Sequence, residues 1–145
     1  MLKNVPNLLT PDALHALASM GHGDEVAIVD ANFPAARLAA RGARLVRVPG
    51  TTSAQLLRAV LAVLPLDDFA TPASWTMQVV GDPDAVPPAV AELRSELHAV
   101  GEAAPGSLER FAFYERAAGA FVILQSGEMR KYGNVVLRKG VLAGG

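Results

Sequence analysis

One histidine of this sequence stands in a setting suited to proton transfer. His22 lies in the segment MGHGD, between two glycines and just before a short apolar segment. Glycines leave the backbone accessible, so a ligand can approach the imidazole closely, and imidazole is the side chain whose ordinary pKa lies nearest to neutrality. His22 is therefore a candidate acid–base group. The alternative interpretation is a solvated loop histidine that follows the end of a helix.

A carboxylate follows the apolar segment after this histidine. Asp30 ends the stretch EVAIVD and precedes a proline that can open a helix. A carboxylate in this position can accept hydrogen bonds from ligand hydroxyls or orient a histidine, but it can equally be a turn or cap residue. His22, Asp24, Glu25 and Asp30 together do not have the spacing of a zinc motif. We therefore predict no metal site.

Two further polar residues share a predicted helix face. Arg110 and Tyr114 lie four positions apart in ERFAFYER, which places them on the same side of a helix. The guanidinium can donate several hydrogen bonds to hydroxyl oxygens, and the phenol can act as a proton donor. The alternative is a surface ion-pair network in which Arg110 joins its charged helix neighbours Glu109, Glu115 and Arg116.

The segment Tyr132-Gly133-Asn134 follows a polar loop and precedes an apolar stretch. Asn134 offers both a donor and an acceptor, as a ligand hydroxyl requires. Gly-Asn is also a common turn pair, which is the alternative. The chain has no glycine-rich phosphate loop, and its lysines have no apolar setting that would suit Schiff-base chemistry. We therefore predict no cofactor.

Alternating helices and strands must position these residues. Capping residues and apolar spacing predict helices over 11–20, 35–40, 53–64, 88–99 and 108–118. Apolar or alternating segments predict strands over 26–29, 45–48, 74–80, 121–124 and 132–136. GEAAPGS is predicted to be a loop, with Ser107 as the cap of the helix that follows. This alternation predicts an α/β fold with a mostly parallel central sheet covered by helices on both faces. In such sheets ligands bind beyond the carboxyl ends of the strands, where Asp30 is expected.

Composition restricts the possible functions further. The chain has 145 residues, no cysteine, a net charge of −1 and a pI near 6.3. This length fits a single domain over residues 1–145, and the charge gives no basic surface for nucleic acid. Disulfides and thiolate chemistry are excluded. We find no secretory signal and no apolar run long enough to span a membrane, so we expect a cytoplasmic protein. The high apolar content is a weak indication of buried subunit contacts.

Taken in order, four segments resemble the RbsD/FucU family, and more closely its L-fucose mutarotase branch than its D-ribose pyranase branch. They are MGHGDEVAIVDANFPA (20–35), LPLDDF (64–69), ERFAFYERA (109–117) and KYGNVVLRKGV (131–141). Together they span nearly the whole chain, and four segments in register are much more specific than any one of them. The RFAFYER segment favours the fucose branch. The middle of the chain, with Trp75 and Gln78, departs most from the family pattern.

The resemblance implies roles residue by residue. His22 matches the catalytic proton donor of the family, and Tyr114 matches a second catalytic residue of the mutarotase branch. Six positions match sugar-binding residues: Asp30, Asp67, Met77, Arg110, Tyr132 and Asn134. The family also implies a ring-shaped homodecamer of two stacked pentamers, with pockets close to subunit interfaces and no cofactor.

The activity that this resemblance implies is mutarotation, the exchange of the α and β anomers of a free monosaccharide, with L-fucose as the expected sugar. Two alternatives remain at this point. A pyranase would interconvert the pyranose and furanose forms of ribose through the same open-chain aldehyde. A non-catalytic sugar-binding subunit would bind a sugar without accelerating its exchange.

Overall fold

The computed structural model describes residues 1–144, and two of its helices begin where their threonine caps predict. The Thr10 hydroxyl accepts a hydrogen bond from the Ala13 backbone N–H at 3.2 Å, with Pro11 opening the helix. Thr52 and Gln55 form a reciprocal capping box at the start of another helix. Such caps satisfy backbone donors that have no partner within the helix.

Residues 1–144 contain five helices and six strands. The helices are α1 (Pro11–Ser19), α2 (Ala35–Ala39), α3 (Ser53–Leu61), α4 (Pro88–Ala99) and α5 (Arg110–Ala118). The strands are β1 (Glu25–Val29), β2 (Arg44–Val48), β3 (Ser74–Met77), β4 (Gly106–Leu108), β5 (Val122–Ser126) and β6 (Val135–Arg138). No helix within residues 1–144 is both long enough and apolar enough to cross a bilayer.

The six strands form one mixed sheet in the order β2-β5-β1-β6-β3-β4. All pairs are parallel except the two that involve β6, which runs antiparallel to both of its neighbours. This confirms the α/β class with a mostly parallel sheet. Because β6 runs in reverse, its first residues lie at the same edge as the carboxyl ends of the other five strands.

Each face of the sheet is covered by its own apolar cluster. Along β1, Val26 and Ile28 face the cluster that contains α1, α3 and α4 residues, whereas Ala27 and Val29 face the cluster with α2 and α5 residues. A strand that is buried on both faces is apolar at successive positions, as β1 is. The two covered faces leave the ends of the strands as the places for polar chemistry.

Three predicted boundaries are wrong. Gly106–Leu108 forms β4 within the expected loop, so Ser107 lies in a strand and the Glu109 side chain caps α5 instead. β3 ends at Met77, and β6 begins at Val135. β4 depends on pairing with β3, where a side chain in place of Gly106 would lie 3.1 Å from Pro72 and Trp75. Such a contact between distant segments leaves no local sequence pattern.

Candidate functional site

A small cavity opens at the carboxyl edge of the sheet. Its volume is about 170 Å³, and it is lined by Asp30, Asn32, Phe33, Met77, Arg110, Tyr114, Lys131, Tyr132 and Asn134. Six of the eight residues predicted for the site therefore meet here. Sequence reasoning missed the other three, Asn32, Phe33 and Lys131, although two of them lie within three positions after Asp30 and the third precedes Tyr132. We call this group of nine residues the edge cavity.

Asp30 and Asn134 form a reciprocal pair at the base of the edge cavity. The Asn134 Nδ2 donates to Asp30 Oδ2 at 3.0 Å, and the Asp30 backbone N–H donates to Asn134 Oδ1 at 2.8 Å. The pairing of β1 with β6 brings the two residues together, since Ile28 lies opposite Val135. Burial raises the pKa of the Asp30 carboxyl, and hydrogen bonds from Asn134 and the backbone partly oppose this effect.

Arg110 and Tyr114 lie on the wall formed by α5. The predicted alternative, a shared ion-pair network, does not form: Glu109 caps α5, Glu115 pairs with Arg41, and Arg116 pairs with Glu25. The buried Nε of Arg110 has no hydrogen-bond partner within residues 1–144. A buried donor without a partner lowers the stability of the folded state, and this one belongs to a residue that lines the cavity.

Aromatic contacts orient the phenol of Tyr114. Its ring meets Phe33 edge to face, with 5.3 Å between ring centroids, and meets Phe111 at 6.2 Å. Such edge-to-face pairs fix ring orientation. Phe33 and Met77 are themselves buried, so the cavity combines apolar walls with a few converging polar groups, as small-ligand sites do.

The amide of Gln125 holds the loop after β1 in place. Its Nε2 lies within hydrogen-bond distance of the Asp30 and Phe33 carbonyl oxygens, at 3.2 and 3.1 Å. Gln125 lies on β5, beside β1 in the sheet. Sequence reasoning missed this residue, for which the only signal is a polar side chain at the end of an apolar strand.

The loop before β6 is built around a buried carboxylate. Tyr132 has a positive φ of 65°, and its hydroxyl accepts a hydrogen bond from the Val80 N–H at 3.1 Å. Gly133 packs directly on Glu128, where an added Cβ would lie 2.7 Å from Glu128 Cγ. Glu128 in turn pairs with Arg130, whose hydrogen bonds hold the pKa of the Glu128 carboxyl below its usual range. This loop positions Tyr132 at the cavity.

Replacing Arg130 with glutamine should reduce the free energy of unfolding by about 1–3 kcal/mol at pH 7, because it leaves the buried Glu128 carboxylate without its cation. A pKa that is lowered by folding contributes stability above the unfolded pKa of Glu, about 4.3, and this stability is lost as the pH falls through the folded value. Urea denaturation from pH 3 to pH 7 should show the difference between variant and wild type shrinking towards pH 3.

The exposed pair Arg41–Glu115 provides the matched control for this prediction. Both of its side chains are more than half exposed, so Arg41→Gln should change the free energy of unfolding much less than Arg130→Gln does. A deficit of Arg130→Gln that stays constant between pH 3 and pH 7 would contradict the role assigned to the Glu128 pair.

His22 lies in a second polar cluster, away from the edge cavity. Its Nε2 is 3.2 Å from Asp67 Oδ1, and Asp67 also accepts a hydrogen bond from Arg138 Nε at 2.8 Å. The His22 ring lies against Phe69, with centroids 4.9 Å apart. The His22 side chain is 43% exposed, and Phe69 is 73% exposed. We call His22, Asp67, Phe69 and Arg138 the histidine cluster.

Glycine and a lysine hold the loop that carries His22. Gly23 has a positive φ of 86°, and its N–H donates to the Lys139 carbonyl at 2.9 Å. The Lys139 Nζ donates to the Met20 carbonyl on the other side of His22. Positive φ is the region that favours glycine, so the local sequence MGHGD matches the conformation that presents the imidazole.

The two clusters lie at opposite ends of β1. His22 precedes the strand and Asp30 follows it, and the five residues of β1 alone span about 16 Å. Within one chain, the structure therefore does not bring His22 and Asp67 to Tyr114 and the other five predicted residues. His22 and Asp67, which both belong to the predicted set, do contact each other.

Two other observations restrict the chemistry of these sites. No group of three or more His, Asp or Glu side chains within residues 1–144 is arranged to hold a metal ion. His22 also borders a cavity of about 420 Å³, but its lining is mainly leucine, valine and proline. The edge cavity, although smaller, offers far more hydrogen-bonding groups to a polar ligand. Trp75 is buried, lies within cation–π distance of the Arg116 and Arg138 guanidinium groups, and does not line the edge cavity.

The chain is similar in sequence to proteins of one known family. Residues 3–142 match the sequence model of the RbsD / FucU transport protein family. The chain is 44% identical to the fucose mutarotase of Homo sapiens over 146 aligned positions, which cover 98% of this chain and 95% of the relative.

Solved structures extend the comparison to the fold. The fucose mutarotase of Streptococcus pneumoniae, solved in complex with L-fucose, superposes with a TM-score of 0.90 at 35% identity, covering 98% of this chain and 100% of that one. RbsD of Bacillus subtilis, solved with D-ribose, superposes with a TM-score of 0.75 at 20% identity, covering 99% and 100% of the two chains, which is a likeness of fold alone. On its sequence and its fold together, the chain belongs to the RbsD/FucU family.

Proposed function

We propose that this chain is a sugar mutarotase that interconverts the α and β anomers of a free monosaccharide, with L-fucose as the sugar. The edge cavity carries the proposal: its volume of about 170 Å³ has room for a single sugar ring, and six of the predicted residues line it. The curated fucose mutarotases, similar over nearly the whole chain, support the same activity.

The proposed reaction opens and recloses the sugar ring. An acid protonates the ring oxygen while a base removes the proton of the anomeric hydroxyl, and the C1–O5 bond breaks to give an aldehyde. Rotation about the C1–C2 bond presents the other face of the carbonyl, and the reverse proton transfers close the ring as the other anomer. Two positioned proton-transfer groups are sufficient, and each contributes on the order of 10²–10⁴-fold. No cofactor takes part.

His22 and Tyr114 are the proposed proton-transfer groups. Asp30, Arg110 and Asn134 would bind the ring hydroxyls, since their carboxylate, guanidinium and amide groups converge on the edge cavity. Tyr132, Met77 and Asp67 complete the proposed set. Binding that holds the reacting atoms in place supplies the positioning component of catalysis.

The separation of the two clusters bears directly on the assembly. An imidazole at one end of β1 can serve a cavity at the other end only if it belongs to a neighbouring protomer. We therefore propose that the histidine cluster of one protomer completes the edge cavity of the next, within a homodecamer of two stacked pentamers. The exposure of His22 and Phe69 on one side, and of Phe111 beside the cavity on the other, supports this contact. We also propose that residues 1–145 form a single domain and that the protein acts in the cytoplasm.

Exchange of sugar anomers can be measured directly by NMR saturation transfer between the α and β signals. We expect the purified protein to accelerate this exchange for L-fucose, with EDTA present, and to accelerate D-ribose exchange much less. Faster pyranose–furanose exchange of ribose would favour the pyranase alternative. Saturable sugar binding without any acceleration of anomer exchange would indicate a non-catalytic sugar-binding subunit instead of an enzyme.

A further inference from the structure

Arg138, the last residue of β6, joins the histidine cluster to the body of the sheet. Its Nε donates to Asp67 Oδ2 at 2.8 Å, and its Nη2 lies 3.4 Å from the Pro72 carbonyl oxygen. The guanidinium carbon lies 5.2 Å from the centroid of the Trp75 ring, a cation–π distance. Arg138 is therefore fixed by three different kinds of contact.

These contacts fix the Asp67 carboxylate as well. The Phe69 N–H donates to Asp67 Oδ1 at 3.1 Å, and the Asp67 N–H donates to the Arg138 carbonyl at 3.0 Å. The Phe69 N–H, His22 and Arg138 together hold the pKa of Asp67 below its usual range. Asp67 is thus ionised at neutral pH, with one oxygen held by Arg138 and the other directed at His22.

An ionised carboxylate can only accept hydrogen bonds, which determines the role of each imidazole nitrogen. Nε2 of His22 must donate to Asp67, so Nδ1 is the nitrogen left to exchange protons with a substrate. The orientation of this nitrogen depends on Asp67, and the orientation of Asp67 depends on Arg138.

We propose that Arg138 is a positioning residue for proton transfer by His22, acting through the Asp67 carboxylate. The inference rests on the proposed mutarotase function for its kinetic part. This role requires an arginine rather than any other cation. A single planar guanidinium donates the hydrogen bond to Asp67, contacts the Pro72 carbonyl and stacks on Trp75 at the same time.

The charges around His22 decide the direction of the expected pH effect. Asp67 faces the ring directly, Asp24 and Asp68 belong to the two loops that meet there, and Lys139 lines the cavity bordered by His22. Arg138 balances the negative charge of Asp67. Without this cation, the Asp67 charge favours protonated His22 more strongly, so the limb of the pH–rate profile governed by His22 moves to higher pH.

Arg138→Gln tests the inference, and Arg138→Lys tests the requirement for a planar group. We expect Arg138→Gln to lower kcat for anomer exchange by about tenfold or more, as for loss of a hydrogen bond to a charged group, with a smaller change in KM. The limb governed by His22 should move to higher pH. Arg138→Lys should restore the position of this limb but only part of kcat.

Arg116→Gln is the matched control. The guanidinium carbon of Arg116 also lies over the Trp75 ring, 3.4 Å from its centroid, and Arg116 pairs with Glu25 rather than with Asp67. We expect Arg116→Gln and Arg138→Gln to reduce the free energy of unfolding by similar amounts. The pH–rate profile of Arg116→Gln, however, should coincide with that of the wild type. If the profiles of the two glutamine variants coincide with that of the wild type, Arg138 is structural only and the inference is overturned.

An NMR titration of the His22 ring separates this inference from the proposed function. The titration curve of His22, followed by its ring ¹⁵N shifts, should move to higher pH in Arg138→Gln whether or not the protein accelerates sugar exchange. An unmoved curve with unchanged ¹⁵N shifts would refute the role of Arg138 even in an active mutarotase.

Discussion

His22→Ala is expected to reduce anomer exchange of L-fucose by about 10²–10⁴-fold, the contribution of one positioned acid–base group. The fold should be preserved, because the side chain is 43% exposed and its polar contact is a single 3.2 Å approach to Asp67. Saturation-transfer NMR gives the exchange rate at several enzyme concentrations, and circular dichroism with thermal denaturation verifies the fold.

His98 offers the appropriate comparison. It lies exposed near the end of α4, far along the chain from either cluster, so His98→Ala should exchange anomers at the wild-type rate. A His22→Ala protein that is folded and retains full activity would remove His22 from the mechanism. Equal losses in both alanine variants would indicate a general effect on folding or assembly instead.

Mixed assemblies of His22→Ala and Tyr114→Phe protomers are expected to recover activity that neither variant has alone. If one protomer supplies the imidazole and the next supplies the phenol, some interfaces pair an intact His22 with an intact Tyr114. With random mixing in a head-to-tail ring, about a quarter of the interfaces should be of this kind. Coexpression with two different affinity tags, followed by two purification steps, isolates the mixed assemblies for NMR exchange measurements.

The matched control mixes two variants of the same cluster, His22→Ala and Asp67→Ala. Every histidine cluster is then damaged, so the activity should not exceed the mean of the two separate variants. No recovery in the His22→Ala and Tyr114→Phe mixture, in assemblies shown to contain both protomers, would contradict the shared site. A monomeric protein with full activity would contradict it as well.

Local sequence alone determined most of the framework. The Thr10 and Thr52 caps predicted where α1 and α3 begin, and the unbroken apolar run of β1 predicted a strand buried on both faces. The i, i+4 spacing of Arg110 and Tyr114 placed both on one wall of the same cavity. These features depend on hydrogen bonds and side-chain spacing within a few residues. The local sequence therefore contains the information that specifies them.

Contacts between distant segments determined the rest. The antiparallel insertion of β6 between β1 and β3 brings Asn134 beside Asp30, and pairing with β3 makes a strand of Gly106–Leu108. The tertiary structure also decided that His22 lies at the opposite end of β1 from Tyr114, which the order of the segments does not reveal. Strand order and direction depend on which distant segments pack together, and only the folded chain determines which polar groups become neighbours.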